Sequence, residues 1–458
     1  MSRSMLRRSC AAIALAALTA TPLIADPFQS LARPFEGEID ASGENRSPIA
    51  AGGTAMVSGR GFTPGQVVTL RQGGEVVAEG LEVGEEGEFA ASVEVPEGAA
   101  PGIYPVVAEV AGPDYAMVFD LKVSPVLEES GAFATQANKL VPGLYQVAAS
   151  EAQGALYVTS AVGRPPVSES KLLKLDPETL EIVAEVTPEP APAREDGRDG
   201  GVFAVYGVGV AEDARQVWVT NTRQNTVAVY DTEDLSLIKQ FEPGAVSHAR
   251  DVAVHDGKAY VTATFEPLVH VFDTESLEEL EPIELSSGQR RGEFGTASLQ
   301  LDPENGRLVV VSLGSDEVAV VDLASGEQTA VYQLPLSQRS IGVSYDAESD
   351  RIFTAGMGSD NVLILDAASG EVLHEVMVGA EPLNVAFDPQ SGLAYVALRG
   401  AGTVVALTPD GEIAGNMAVG SFANHLTPAP EGGVLVVNKS KGAEDPTGDH
   451  ITRITPEG

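Results

Sequence analysis

From residue 145 onward the chain repeats one pattern of apolar and polar positions. A short apolar strand of the Tyr-Val-Thr kind recurs at Leu156–Ser160, Val217–Asn221, Ala259–Ala263, Leu308–Ser312, Ile352–Gly356, Ala394–Leu398 and Val434–Asn438. Their second residues are spaced by 61, 42, 49, 44, 42 and 40 positions. A period near 42 residues is that of a four-stranded sheet repeated around an axis. The long first interval holds Thr187–Gly200, rich in Pro and charge, which reads as a solvated loop. An inner strand precedes each recurrent strand: Tyr145–Ala149, Tyr206–Val210, Arg250–Val254, Ala297–Leu301, Ile341–Tyr345, Leu383–Phe387 and Asn424–Pro428. A third strand follows each one, and five of the seven end in Asp, at Asp176, Asp231, Asp273, Asp322 and Asp366. An Asp carboxylate accepts backbone N–H groups of the turn it opens, so these residues are expected to form turns rather than hold metal.

An outer strand follows in the first six units, but the seventh stops after its third strand. That would leave a row of unpaired backbone groups. Ala134–Val141, just ahead of the first inner strand, is expected to supply the missing strand and close the ring.

Upstream the period changes. Short alternating strands separated by Gly and Pro turns run from Gly53 to Val123, including the Gly59–Gly65 and Pro96–Tyr104 turns. These predict a small antiparallel sandwich whose turns resemble those of bacterial immunoglobulin-like surface modules. The expected class is therefore all-β: an immunoglobulin-like β-sandwich over 48–125, then a seven-bladed β-propeller over 132–458. Residues 26–47 show no periodicity and read as a linker. The first 25 read as a secretory signal peptide: Arg3, Arg7 and Arg8, the apolar run Ala11–Leu18, then Pro22 and small residues to Ala25. That run is too short to span a bilayer, so the mature chain is expected to be periplasmic or secreted, with no membrane span.

Composition narrows the chemistry. The single cysteine, Cys10, falls in the leader, which removes disulfides, Cys-ligated metal, thioether-linked haem and cysteine nucleophiles from the mature chain. The formal net charge of −38 repels polyanions and makes nonspecific nucleic-acid or anionic-membrane binding a poor default. The six histidines lack metal-ligand spacing, and no H-E-x-x-H, G-x-S-x-G or Walker sequence occurs. Neither a metal nor another cofactor is expected.

The repeat carries a resemblance. The Leu175–Leu180 turn, the Trp218–Thr222 strand, the long first insertion and the polar insertion in the last unit are similar to those of YVTN-repeat propellers, in particular the periplasmic YncE type, over 139–458. The resemblance implies an extracytoplasmic propeller and places single-stranded DNA among the ligands to consider; the charge of this chain opposes that ligand.

In a ring of sheets the inner strands converge on a channel, whose mouth is the expected site. Aligning the units brings Tyr145, Tyr206, Arg250 and Asn424 into one column, Asn384 and His425 into the next, and Asn221, Arg399 and Lys439 to the ends of recurrent strands, with Arg339 at the same end of another blade. Basic residues are few here, so their recurrence at one end points to a carboxylate or phosphate group. The competing reading is that each arginine pairs with a neighbouring acid, such as Arg250 with Asp251. The leading functional expectation is a noncatalytic binding or scaffold protein, its mouth taking a small anionic ligand, a peptide or single-stranded nucleic acid. Alternatives are a lactonase-like hydrolase, for which His425, Asp251 and Arg250 are the only acid–base groups of the ring, and a cell-surface interaction protein docking on an outer-membrane or surface partner.

Overall fold

The computed structural model describes residues 35–194 and 197–457; the signal-peptide reading lies outside the described residues. The first body is a sandwich of two antiparallel sheets. Thr54–Arg60 lies between Glu38–Ser42 and Phe89–Glu94 in one sheet, and the other runs in the order Glu75–Glu82, Val67–Gln72, Gly102–Ala111, Tyr115–Val123. Alternation sends Ala55 and Val57 inward against Val68, Leu70, Val106 and Ala108. The linker reading of 26–47 needs correction, because Glu38–Ser42 is an edge strand paired in register with Thr54–Arg60. Its sequence, Glu-Ile-Asp-Ala-Ser, buries only Ile39, so a five-residue strand with one core residue carries no period of its own. Phe35, also in that stretch, stacks on Tyr115 with centroids 3.9 Å apart.

Seven four-stranded antiparallel sheets follow, the first six ordered from inner to outer strand along the chain. Their inner strands are Leu144–Ser150, Val208–Ala211, Ala249–His255, Thr296–Asp302, Ser340–Asp346, Pro382–Asp388 and Ala423–Pro428. They pack side by side in that cyclic order, the last against the first. The second strands carry the Tyr-Val-Thr repeat and are covered on both faces: every residue of Gln216–Asn221 is buried, as are Tyr157, Trp218 and Tyr395. The outer strand of the seventh sheet comes from ahead of the first. Phe133–Lys139 pairs antiparallel with His450–Pro456, from Phe133 opposite Pro456 to Lys139 opposite His450. The edge that the chain end would expose is thereby paired.

Neighbouring sheets are tied by side chains that reach backbone. The Thr220 hydroxyl accepts the Gly207 N–H of its own sheet at 2.7 Å and donates to the Arg250 carbonyl of the next at 3.2 Å. Thr159 repeats this with the Gln146 N–H and the Tyr206 carbonyl, and Thr262 accepts the Asp251 N–H. A second series starts one column over. Gln146 accepts Val208 N–H, Asp251 accepts Leu299 N–H, Asn384 accepts Leu426 N–H, and His425 Nδ1 accepts Val147 N–H, each in the following sheet. Where this column holds glycine the backbones themselves close up; a Cβ on Gly207 would lie 2.4 Å from the Arg250 carbonyl oxygen.

The sandwich stands on the ring through a buried charge. Asp360 receives the Lys122 ammonium at 2.6 Å, the Ser124 hydroxyl at 2.5 Å and the Glu381 N–H at 2.9 Å. Lys122 also donates to the Met357 carbonyl, so the sandwich is anchored beside the channel opening that Met357 lines.

Two stability outcomes follow from these ties. Residues 142–458, lacking the closing strand, are expected to melt roughly 10 °C or more below residues 132–458, because one sheet loses its outer partner; equal melting in calorimetry would contradict closure. Thr220→Val is expected to cost about 1–3 kcal/mol in urea unfolding, since it orphans buried backbone groups. Thr354→Val is expected to be close to neutral, because that buried hydroxyl has no partner to lose.

Candidate functional site at the channel mouth

The inner strands do not run straight into the channel. Pairing with the second strand skips from Ala249 to Val252, Thr296 to Leu299, Ser340 to Gly342, Pro382 to Asn384 and Ala423 to His425. A bulge turns the skipped side chain away from the sheet, and the skipped Arg250, Ser298, Ile341, Leu383 and Asn424 all line one cavity at this end of the ring. Its volume is about 320 Å³, and its wall is completed by Tyr145, Tyr206, Arg223, His248, Arg399 and Lys439 among others.

Among the described residues no carboxylate lines this cavity. Among the described residues the arginines and the lysine of the mouth form no ion pair; paired cations such as Lys122 and Arg307 lie elsewhere. Aromatic and amide groups hold them instead. Lys439 Nζ sits 3.3 Å from the centroid of the Tyr145 ring, and Tyr145 meets Tyr206 edge to face at 4.2 Å. Arg223 donates to the Tyr206 hydroxyl at 3.3 Å. Arg399 donates to Asn424 Oδ1 at 2.9 Å and lies over Phe422, while Asn424 Nδ2 donates to the Tyr145 carbonyl at 2.7 Å. Arg250 Nε is buried without a partner.

Burial and mutual repulsion set the protonation states. Burial, followed by the Arg399 guanidinium, pulls Lys439 down to about 7; Asp449 opposes this and Arg223 adds to it. The Tyr145 ring face favours the ammonium form and so opposes that shift. Burial, and then Tyr206, pushes Tyr145 up to about 12. Burial, and then Arg250, takes His425 down to about 3, so it is a neutral acceptor for Val147 N–H. His248 is lowered by burial, then by Arg223 and Arg250. Burial raises Asp251 although Arg250 opposes it, and lowers Arg250 although Asp251 opposes that. No ion pair joins the two side chains, and the Asp251 carboxyl is occupied by Gln146 at 3.3 Å and by Leu299 N–H.

Of the residues expected at the mouth, Tyr145, Tyr206, Arg250, Asn384, Arg399, Asn424, His425 and Lys439 do line it. Asn384 and His425 also serve the sheet-to-sheet ties. Two expectations need correction. Asn221 is fully buried away from the cavity, its Oδ1 accepting from Gln240 at 3.1 Å, because strand alternation aims it at the outer strand of its own sheet. Arg339 is exposed in the turn before Ser340, with φ 53, outside the cavity lining. Arg223 is the mouth-lining cation that alignment misses. A 3₁₀ turn at Thr222–Gln224 displaces it one position beyond the column that holds Arg399 and Lys439.

Several cationic donors converge at the mouth beside two imidazoles, His248 and His425, of which His425 accepts the Val147 N–H of the next sheet. Among the described residues no three of His, Cys, Asp and Glu come together to hold a metal.

Solved structures with the same ring of sheets include Kuenenia stuttgartiensis hydrazine synthase, 18% identical, covering 65% of this chain and 93% of that one, with a TM-score of 0.53. The ring is a β-propeller. Catalytically inactive virginiamycin B lyase from Staphylococcus aureus with quinupristin is 14% identical, covering 71% of this chain and all of that one, with a TM-score of 0.55. The propeller domain of Cps50 (Swd1) from Myceliophteria thermophila is 10% identical, covering 70% of this chain and 100% of that one, with a TM-score of 0.53. At such identities the likeness concerns the propeller fold alone. No protein-family model matches the chain, and no curated protein matches it.

The electrostatics of the propeller mouth carry a direct test. Lys439 is charged below about pH 7 and neutral above it, whereas an ordinary lysine titrates near 10.4. NMR of ¹³C-methylated lysines is expected to show one resonance titrating near neutrality that is missing from Lys439→Arg. Titration of every lysine near its ordinary value would contradict the desolvated, repelled amine.

Proposed function

We propose that this chain is an exported, noncatalytic binding protein: a seven-bladed YVTN/YncE-type propeller with an immunoglobulin-like module beside its mouth, acting in the periplasm or outside the cell. The ligand is a small molecule or peptide end bearing a carboxylate or phosphate group. The observation that carries this reading is the cluster of Arg223, Arg250, Arg399 and Lys439 around a cavity of about 320 Å³ with no acid in its wall, in a chain of net charge −38. Burying cations together is costly unless an anion completes them. Arg250, Arg399 and Lys439 stand half-buried at the mouth with no ion pair among the described residues, Arg223 is exposed beside them, and Arg250 Nε has a hydrogen bond to give.

Size and charge separate the candidate ligands. One acid group and a compact body fit the cavity, whereas a nucleic-acid strand would leave the mouth across a strongly acidic exterior. A lactonase-like reaction would need a mobile acid–base pair, and His425 and Asp251 are held by neighbouring backbone.

Titration calorimetry with inorganic phosphate and a tricarboxylate at low salt, beside labelled single-stranded DNA at low and high salt, tests the reading. The small anions are expected to bind, and the Arg250→Ala, Lys439→Ala double variant to lose roughly 10- to 100-fold or more in affinity, as for charged hydrogen bonds. DNA binding is expected to be weak or absent. Failure of every small anion to bind at low salt would refute the proposal, and tight, salt-sensitive DNA binding would replace it with the nucleic-acid alternative.

A further inference from the structure

We infer that the Lys439 amine captures the carbonyl group of a small oxo acid as a covalent imine, while the guanidinium groups of the mouth hold the acid's carboxylate. This rests on the anion-binding reading and adds a chemical step to it.

Placement singles this lysine out. Four other lysines are committed, Lys122 to Asp360, Lys171 to Glu185, Lys174 to the Thr232 and Glu233 carbonyls and Lys239 to the Leu277 carbonyl, and Lys139, Lys258 and Lys441 lie outside this cavity. Lys439 follows directly on the buried strand Val434–Asn438, its N–H bound to the Phe422 carbonyl at 3.1 Å, and its amine lies in the cavity against the Tyr145 ring. The charged groups acting on it come from three different blades. Arg223 belongs to the second, Arg399 to the sixth and Asp449 to the seventh, while the Tyr145 ring comes from the first. Asp449 is the one acid among them, and its Oδ1 is taken by the Gly143 and Ser440 N–H groups. The amine thus shares one cavity with guanidinium groups that would seat a carboxylate, and near neutral pH a large fraction of it has a free lone pair. An ordinary lysine has roughly one molecule in a thousand in that form at pH 7.5.

The step balances without an oxidant or reductant. The nitrogen lone pair adds to the carbonyl carbon, the carbonyl oxygen takes up the proton released by nitrogen, and the carbinolamine expels water to leave a C=N bond. One amine and one oxo acid give one imine and one water. Activation of a lysine by desolvation and a neighbouring cation is an established route to such chemistry.

The full chain is treated with glyoxylate and sodium cyanoborohydride at pH 7.5, which fixes an imine as a stable secondary amine, and is read by intact mass and peptide mapping. In parallel, calorimetry measures glycolate, the analogue without a carbonyl. Expected are one lysine adduct, on Lys439, beside that on the N-terminal α-amine, forming about 100-fold faster than on Lys441, no such lysine adduct in Lys439→Arg, and glycolate binding by the unmodified protein. Slow adducts spread over exposed lysines, unchanged in Lys439→Arg, would overturn the inference; if glycolate still bound, the anion-binding reading would survive. Acetaldehyde labelling Lys439 as fast as glyoxylate, with no glycolate binding, would overturn the oxo-acid assignment and the anion reading together, leaving only a reactive amine.

Discussion

Everything about the mouth depends on how one inner strand is fastened to the next. Thr159 and Thr220 each use a single hydroxyl twice, accepting an N–H from the inner strand of their own blade and donating to a carbonyl of the blade that follows. The column occupied by Gln146, Asp251, Asn384 and His425 adds a bond from side chain to the next backbone N–H. Buried in this way, such bonds stabilise by little each, yet leaving one unmade is expensive. They therefore fix the angle between blades, and that angle brings side chains from blades distant in sequence to one opening.

The bulges convert this frame into a site. By skipping one or two residues at the mouth end of six inner strands, the chain aims Tyr145, Arg250, Ser298, Ile341, Leu383 and Asn424 into the channel without breaking the sheets behind them. The cations so gathered lack carboxylate partners in a chain rich in carboxylates, and tyrosine faces and amides support them. An acidic exterior and a basic, partly desolvated mouth focus the field on one small opening. The sandwich stands beside that opening, held by Lys122, Ser124 and the buried Asp360.

Much of this was legible in the sequence because the repeat is written in core residues. The Tyr-Val-Thr period locates the second strands, and the aspartates ending the third strands behave as turn formers. Asp176, Asp273, Asp322 and Asp366 each accept N–H groups two to three residues on, and these bonds, preceded at Asp322 and Asp366 by those from the Ser325 and Ser369 hydroxyls, hold their carboxyls below the usual range. Alignment also gathered most of the mouth, since equivalent positions in a ring converge. It failed where local backbone departs from the period. A 3₁₀ turn displaced Arg223 from its column, alternation turned Asn221 outward, and a positive φ carried Arg339 onto the surface. The strand Glu38–Ser42 was invisible because its one core residue, Ile39, gains meaning only from the partner strand beside it.

The central claim is that the channel mouth is an uncompensated cationic pocket. Anomalous diffraction from crystals soaked in bromide tests it most directly. The account predicts an ordered bromide among Arg250, Arg399 and Lys439, displaced by a competing carboxylate. A mouth without bromide, with Arg250 or Arg399 turned onto an Asp or Glu carboxylate, would contradict it.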